Sequence, residues 1–282
     1  MPNALSAVDL DGYFARIGHA GPLSPDLVTL GAIIARHAAS IPFEAIDVLL
    51  GRPVDLSPTA VDAKLIDRRR GGYCFEQNGL LQRVLTSLGY RVEPLMARVL
   101  WMREPDAPPP GWSHMALRVF VDSVGYLVDV GFGSCVPTAP LRFDRTTAQP
   151  TPHEPFRLSR TLNGYLLEAQ LGRDWVPVYE VSPRICAEDA YRFANIATST
   201  DPQSLFRQTL LVTLTTGEAR QILFGNRLTI RDKNGTIARY ELDVPSIEHI
   251  LTDVFGLPFE GDWRRITARI GNTLEGSDTT RA

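Results

Sequence analysis

One cysteine stands directly after two glycines, in Arg70-Gly71-Gly72-Tyr73-Cys74-Phe75-Glu76-Gln77-Asn78. Further on, His114 opens an alternating stretch, and Asp129 interrupts the apolar run from Tyr126 to Val130. A thiol nucleophile needs a base to take its proton and a third group to orient that base. Histidine is the side chain whose unperturbed pKa lies near neutrality. A carboxylate beside it would hold one imidazole tautomer and stabilise the imidazolium. Each residue alone has a plainer explanation. Most lone cysteines are inert core, and a single histidine on a strand is more often satisfied or exposed than catalytic. Asp129 is harder to dismiss, because an acid between Val128 and Val130 needs a partner if it is buried.

The elements that must position these groups can be read locally. After Cys74, residues Leu81, Val84, Leu85 and Leu88 fall at i, i+3, i+4 and i+7, and Gly89 follows. This is an amphipathic helix with a glycine stop. Cys74 therefore belongs to the helix start, where unpaired N–H groups and the macrodipole favour a thiolate. The glycines give a substrate room to approach the backbone. From His114 to Val121 the pattern alternates: Met115, Leu117, Val119 and Val121 share one face, His114, Ala116, Arg118 and Phe120 the other. Asp122-Ser123-Val124-Gly125 reads as a turn. If it is centred between Ser123 and Val124, His114 and Asp129 share a face but stand about four residues out of register, ~13 Å along a strand. Contact between them would then need a bulge, a wider loop or strong twist near residues 121–129.

The remaining chain divides into three parts and a connector. Residues 1–89 read as a helical bundle carrying the cysteine. Asp9 or Asp11 caps a first helix, Ser24-Pro25 a second with Leu27, Leu30, Gly31 and Ile34 inward, and Ser57-Pro58 a third. Residues 90–186 read as a small β-barrel or sandwich carrying His114 and Asp129, with Pro94 marking an edge or bulge. Residues 187–207 are a connector with helical potential, and 208–282 a smaller α/β lid. In the lid Asn234-Gly235 turns a hairpin, Ser246 caps a helix, and the tail after Ile270 frays. His19, His37, His153 and His249 read as surface residues, and Cys135 and Cys186 as structural thiols.

Composition is that of an ordinary globular chain: 282 residues, 44% hydrophobic, 22% charged, net charge −3. Such a balance gives no general attraction to nucleic acid or to anionic membranes. No apolar run reaches the roughly 18 residues of a membrane span. Met1-Pro2-Asn3-Ala4 lacks the build of a signal peptide. Three cysteines without framework spacing fit reduced thiols in a cytoplasm. No Cys-x-x-Cys or His-x-x-x-His spacing offers a metal site. Oligomeric state leaves no signal.

Arg70-Gly71-Gly72-Tyr73-Cys74-Phe75-Glu76 resembles the nucleophile motif of the arylamine N-acetyltransferases. Further segments extend the resemblance: Leu10 to Gly18, Ile41-Pro42-Phe43-Glu44, Ser113-His114-Met115-Ala116-Leu117, Tyr126 to Gly133, and Asn195 with Thr198 to Phe206. They span about the first three quarters of the chain, with Cys, His and Asp in the family's order. The resemblance implies an α+β fold of helical bundle, β-barrel and α/β lid with a papain-like or transglutaminase-like Cys-His-Asp core. It implies ping-pong transfer of acetyl from acetyl-CoA through Cys74 to an arylamine, arylhydrazine or N-hydroxyarylamine, with His114 as base, Asp129 as its orienter and no metal. It also implies coenzyme contacts at Gly131, Gly133, Ser204 and Phe206, and an acceptor pocket of Phe43, Tyr73, Val130 and Phe132. Read from the residues themselves, Phe43 is equally a core aromatic and Phe206 a linker aromatic packing on the barrel. Two positions depart from the family pattern: Ala45 stands where asparagine is usual, and Ser113 where threonine is usual. These bear on acceptor fit and coenzyme contacts. The same triad would also serve an amide synthase of natural-product biosynthesis taking another acyl group, or a thiol hydrolase using water. A non-catalytic binding protein is the remaining reading.

Overall fold

The structure, a computed structural model, describes residues 8–104, 106–268 and 270. The expected leader-free N-terminus and the tail after Ile270 lie outside the described residues.

The first part is helical: α1 (Leu10–Ile17), α2 (Leu27–Ser40), α3 (Ile46–Leu49), α4 (Pro58–Asp62) and α5 (Cys74–Ser87), with a two-residue strand β1 (Phe43–Glu44) after α2. Asp9 caps α1 by accepting the Gly12 N–H at 3.0 Å, and Gly18 ends it at φ 63°. The cap of α2 is Asp26 rather than Ser24: its carboxylate accepts the Thr29 N–H at 2.8 Å, which leaves Ser24-Pro25 outside the helix. Leu27, expected on the inner face, is exposed, while Leu30, Ile33 and Ile34 are fully buried. Helix α4 runs on as a π-turn over Ala63–Asp67, which turns Lys64 inward beneath α5.

Seven strands follow: β2 (Arg91–Val99), β3 (His114–Val121), β4 (Val124–Val128), β5 (Leu141–Arg142), β6 (Phe156–Arg160), β7 (Tyr165–Leu171) and β8 (Asp174–Ile185). Their order is β5-β4-β3-β2-β8-β7-β6, every pairing antiparallel. The sheet curls into a nearly closed barrel. Gln149 bridges its two edges: it pairs through its backbone with Phe156 of β6, and its amide bonds both the N–H and the carbonyl of Arg142 on β5. Pro94 lies in the central strand β2, not at an edge. The register against β8 slips between Leu95 and Ala97, so the bulge expected there accommodates the missing N–H.

The alternation in β3 sorts two cores. Met115, Leu117, Val119 and Val121 pack with the helices, and Ala116 packs inside the barrel with Leu95, Leu127 and Leu167. Helices α6 (Glu188–Thr200) and α7 (Leu205–Gln208) then lead to strands β9 (Leu211–Thr215), β10 (Arg220–Phe224), β11 (Arg227–Asp232) and β12 (Gly235–Glu241), and to helix α8 (Val244–Asp253). These strands form a second sheet, and β1 joins its edge by pairing with β9. Asp243, not Ser246, caps α8: its carboxylate accepts the Ser246 N–H at 2.9 Å, so that serine sits inside the first turn.

Two histidines expected at the surface are buried. His37 is enclosed with Nδ1 2.8 Å from the Tyr13 hydroxyl and Nε2 3.2 Å from Gln77 Oε1. With both ring nitrogens bonded a neutral imidazole is accommodated, and burial holds its pKa down at about 3. His153 is buried beside Thr138, 3.1 Å from its hydroxyl. No described helix is long and apolar enough to cross a membrane.

Candidate active site

Cys74 is the first residue of α5, as its position after Gly71-Gly72 implied. Two devices fix that helix start. Glu76 reaches back to accept the Tyr73 N–H at 3.0 Å, and its other oxygen accepts from Lys64 Nζ at 2.8 Å. Gln77 donates to the carbonyls of Gly72 at 2.6 Å and Pro42 at 3.2 Å, tying the glycine loop to β1. Below the loop, buried Arg70 donates to Glu44 at 2.8 and 3.0 Å, to Asp47 at 3.3 Å and to Glu260 at 2.9 Å, and lies over the Trp263 ring at 4.7 Å. A planar fork meets three carboxylates and an aromatic face at once, which a lysine could not do.

His114 and Asp129 meet without the bulge that the sequence suggested. The hairpin turn is Asp122-Ser123, both at positive φ (48° and 65°), with Val121 paired to Val124. That is one residue earlier than expected, and the shift shortens the offset to a diagonal cross-strand neighbour on the same face. Strand β4 ends at Val128, so Asp129 stands just beyond it and reaches His114 Nε2 at 2.7 Å. Asp129 also accepts the Gly131 N–H at 2.8 Å and Asn78 Nδ2 at 2.9 Å. It is fully buried. Burial raises its pKa, but the His114 charge and these hydrogen bonds outweigh that and hold it below the usual carboxylate range.

With Nε2 on Asp129, Nδ1 of His114 is left for Cys74. Burial alone would strip the imidazolium of its proton. Asp129 first, then Cys74, reverse this and raise His114 to about 10. The Cys74 Sγ lies 4.0 Å from the Ser113 carbonyl oxygen. Cysteine, histidine and aspartate thus form one line, its cysteine on the bundle and its two partners on the barrel.

Asn78, which sequence reasoning passed over, braces this line. Its Nδ2 donates to the Met115 carbonyl at 2.7 Å as well as to Asp129, and its Oδ1 accepts the Val130 N–H at 3.1 Å. The available signal was its spacing, four residues after Cys74 on the same helix face. Tyr179 was also missed. Its ring packs on His114 with centroids 5.1 Å apart. Its buried hydroxyl faces Asp129 without closing a well-formed hydrogen bond, and burial first, the Asp129 charge second, keep it protonated.

The other expected residues fall around the same point. Gly131 is required by crowding: a Cβ there would come 2.6 Å from Cys74 Cα and 2.8 Å from Asn78 Nδ2. Gly133, at φ 80°, lies against the Phe43 ring. Phe132 meets His114 edge to face at 5.3 Å. Phe206 packs on Phe43 at 5.8 Å and on Tyr73 at 5.9 Å. Phe43, Tyr73 and Val130 are buried, and the Tyr73 hydroxyl is bonded to Asn195. Ser204 is half-buried and precedes α7; no described contact joins it to Cys74, His114 or Asp129. Cys135 is buried against Glu154, and Cys186 is half-buried. Among the described residues no cluster of three or more His, Cys, Asp or Glu could hold a metal ion.

A family described as N-acetyltransferase matches residues 26–264. The arylamine N-acetyltransferase of Mycolicibacterium smegmatis is 44% identical over 279 residues, covering 95% of this chain and 99% of that one. The arylamine N-acetyltransferase / N-hydroxyarylamine O-acetyltransferase of Salmonella typhimurium is 35% identical, covering 88% of each. Among solved structures, the arylamine N-acetyltransferase of Mycobacterium marinum in complex with CoA superposes with a TM-score of 0.89 at 40% identity, over 94% of this chain and 99% of that one. Carried by this fold and this site, those matches make the chain a member of the arylamine N-acetyltransferase family.

Proposed function

We propose that the protein transfers an acetyl group from acetyl-coenzyme A to an aromatic amine, hydrazine or N-hydroxyarylamine by way of a Cys74 thioester. One observation carries the reading: the buried imidazole of His114 bonds Asp129 through Nε2 at 2.7 Å, and its pKa is raised by Asp129 first and by Cys74 second. That is a nucleophile, a base and an orienter in sequence.

In the first half-reaction Cys74 Sγ, its proton held on His114, attacks the thioester carbonyl carbon. The N–H groups of Cys74 and Phe75, the first two of α5, have no partner within the helix and would stabilise the developing oxyanion. The carbon–sulfur bond to coenzyme A breaks, and His114 returns the proton to the departing thiolate. In the second half-reaction the amine nitrogen attacks the acetyl-Cys74 carbonyl, His114 takes the amine proton, and the thiol is released with the amide. Phe43, Tyr73, Val130 and Phe132 shape the acceptor side. Gly131, Gly133, Ser204 and Phe206 line the coenzyme side. The work divides over a bundle (1–89) that brings the nucleophile, a barrel (90–186) that brings its partners, a connector (187–207), and a lid (208–282). Relatives named for arylamines, one of them solved with CoA, support both substrates. Three unpaired thiols suit the reducing cytoplasm, where the activity would modify foreign aromatic amines.

The test is intact mass after brief exposure to acetyl-coenzyme A without an acceptor, with Cys74→Ala as control. A gain of one acetyl group, absent from the control and discharged by an arylamine, is expected. No gain with the coenzyme unconsumed would point to another acyl donor, and coenzyme consumed without an adduct would point to hydrolysis.

A further inference from the structure

Three buried side chains on three different helices form a hydrogen-bonded chain that ends at the glycine loop, and the transfer steps use none of them. Tyr13 on α1, His37 on α2 and Gln77 on α5 are each fully enclosed. The Tyr13 hydroxyl lies 2.8 Å from His37 Nδ1, and His37 Nε2 lies 3.2 Å from Gln77 Oε1. Gln77 Nε2 reaches the carbonyl oxygens of Gly72 at 2.6 Å and of Pro42 at 3.2 Å. The three cross the apolar core of the bundle, which includes Leu30, Ile33 and Leu81. A polar chain in such a place is costly unless every member is satisfied. Here each polar side-chain atom of the three has its partner.

The loop end fixes the direction of every bond. A carbonyl oxygen only accepts, so the Gln77 amide turns its nitrogen to Gly72 and Pro42 and its oxygen to His37. The neutral His37 ring therefore carries its proton on Nε2 and donates it to Gln77 Oε1. Nδ1 is left to accept, and the Tyr13 hydroxyl donates to it. The other tautomer would set the Nε2 lone pair against Gln77 Oε1. The two carbonyls at the end belong to the segments that frame the site. Gly72 precedes Tyr73-Cys74, and Pro42 precedes Phe43. These segments also bond each other directly: the Gly72 N–H donates to Pro42 at 3.3 Å, and the Glu44 N–H to Gly72 at 3.1 Å. They approach so closely that a Cβ on Gly71 would fall 2.1 Å from the Pro42 oxygen. Gln77 clasps both strands of this contact from the core side.

We propose that Gln77, oriented by His37 and through it by Tyr13, is a positioning residue for the transfer reaction: it sets the glycine loop against β1, and with it the seat of Cys74 relative to Phe43. This role deepens the transfer reading above and rests on it. None of the three side chains touches a reacting atom. Gln77 stands in the first turn of α5, three residues after Cys74, so slack at Gly72 is slack in the helix start that carries the thiol. A shift of about 1 Å between reacting groups is enough to cost ~100-fold in rate. The chain also differs from ordinary packing in one respect. Its links act in series, so a second cut removes nothing that the first has left, and the effects of two cuts do not add.

The experiment compares the native protein with Tyr13→Phe, Gln77→Leu and the double variant. It reads alkylation of Cys74 by iodoacetamide, resolved from Cys135 and Cys186 by peptide mass, and single-turnover acetylation at saturating acetyl-coenzyme A. Gln77→Leu should slow both reactions of Cys74 by about 10- to 100-fold, and Tyr13→Phe by about threefold, part of the worth of one neutral hydrogen bond. In the Gln77→Leu background Tyr13→Phe should make no further difference. Cys135, fully buried, reports on the fold and should stay unmodified throughout. Nitrogen-15 spectra should show native His37 protonated at Nε2, with the other tautomer gaining in Tyr13→Phe. Tyr13→Phe removes a single oxygen, so its rate and its spectrum keep the test alive if the leucine variant folds poorly. Native reactivity of Cys74 in both single variants, fully additive effects, a native His37 protonated at Nδ1 alone, or losses that appear only as Cys135 becomes reactive would each overturn the assignment. Alkylation needs no acetyl donor. A protein that shows the coupled loss of alkylation yet forms no acetyl-Cys74 therefore refutes the transfer reading and leaves the positioning of the thiol standing.

Discussion

Replacing Asp129 by asparagine keeps the side chain's shape and removes its charge. In the native site one oxygen accepts from Asn78 and the Gly131 N–H, at 2.9 and 2.8 Å, and the other accepts from His114 Nε2 at 2.7 Å. An asparagine must leave its oxygen with the two donors, because its amide nitrogen would oppose both N–H groups. That nitrogen then faces His114 and donates. Nε2 is forced to accept, and the ring proton moves to Nδ1, the nitrogen that serves Cys74. An imidazole in this tautomer cannot take the thiol proton. The charge that raised His114 to about 10 is lost as well, so burial is left to favour the neutral ring. For the same reversal in a Ser-His-Asp triad the loss is about 10⁴-fold; a drop of about 10³ to 10⁴ in the rate of Cys74 acetylation is expected here, roughly 4 to 5.5 kcal/mol of barrier. Rapid-quench mass spectrometry of a single turnover measures it directly, with a melting curve to show that the fold persists. Acetylation within tenfold of the native rate would refute the claim that Asp129 sets the His114 tautomer.

Three further outcomes are expected. Arg70→Met strands the fully buried Glu44 and should cost about 3–5 kcal/mol, lowering the melting temperature by ~10 °C, with Arg70→Lys recovering little; an unchanged melting temperature would remove Arg70 from its assigned place. Gly131→Ala pushes a methyl group into Cys74 Cα and Asn78 and should slow acetylation by about 100-fold in a protein that still folds; native kinetics would mean that the loop yields freely. The folded pKa of His114 is raised, so its stabilisation is complete below about pH 6.5 and is lost as pH climbs toward about 10. His37 is depressed to about 3 and does the reverse, stabilising above about pH 6.5 and failing as pH falls through the acid range. Melting temperatures of His114→Gln and His37→Gln, each compared with the native protein from pH 4 to 10, should therefore converge on it at opposite ends; convergence at the same end would contradict one of the two assignments.

What was legible in the sequence was local. The helix after Cys74 shows itself by its 3.6-residue period, and the two faces of β3 by strict alternation, so the place of Cys74 at a helix start and the shared face of His114 and Asp129 could both be read. The register could not, because Gly125 drew the turn toward itself while the actual turn uses Asp122 and Ser123, non-glycine residues at positive φ. Strand β1 is two residues long and has no period to detect; it exists because β9 offers it an edge. His37 read as a surface residue. Its partners Tyr13 and Gln77 lie 24 and 40 residues away, and only packing brings them together. Asn78 is intermediate: spacing placed it beside Cys74, but nothing local named Asp129 and Met115 as what it holds.

The tie between Arg70 and Glu260, with Trp263 beneath the guanidinium, has a consequence for synthesis on the ribosome. Helix α5 and its thiol emerge first, but the cation that seats the glycine loop is not fully countered until Glu260 and Trp263 have followed. Strand β1, on the other side of that loop, likewise waits for β9. A nascent chain therefore carries its cysteine without a finished seat until Glu260, 190 positions after Arg70, has been added. Release before that point would yield fragments that hold Cys74 but lack the means to set it in place.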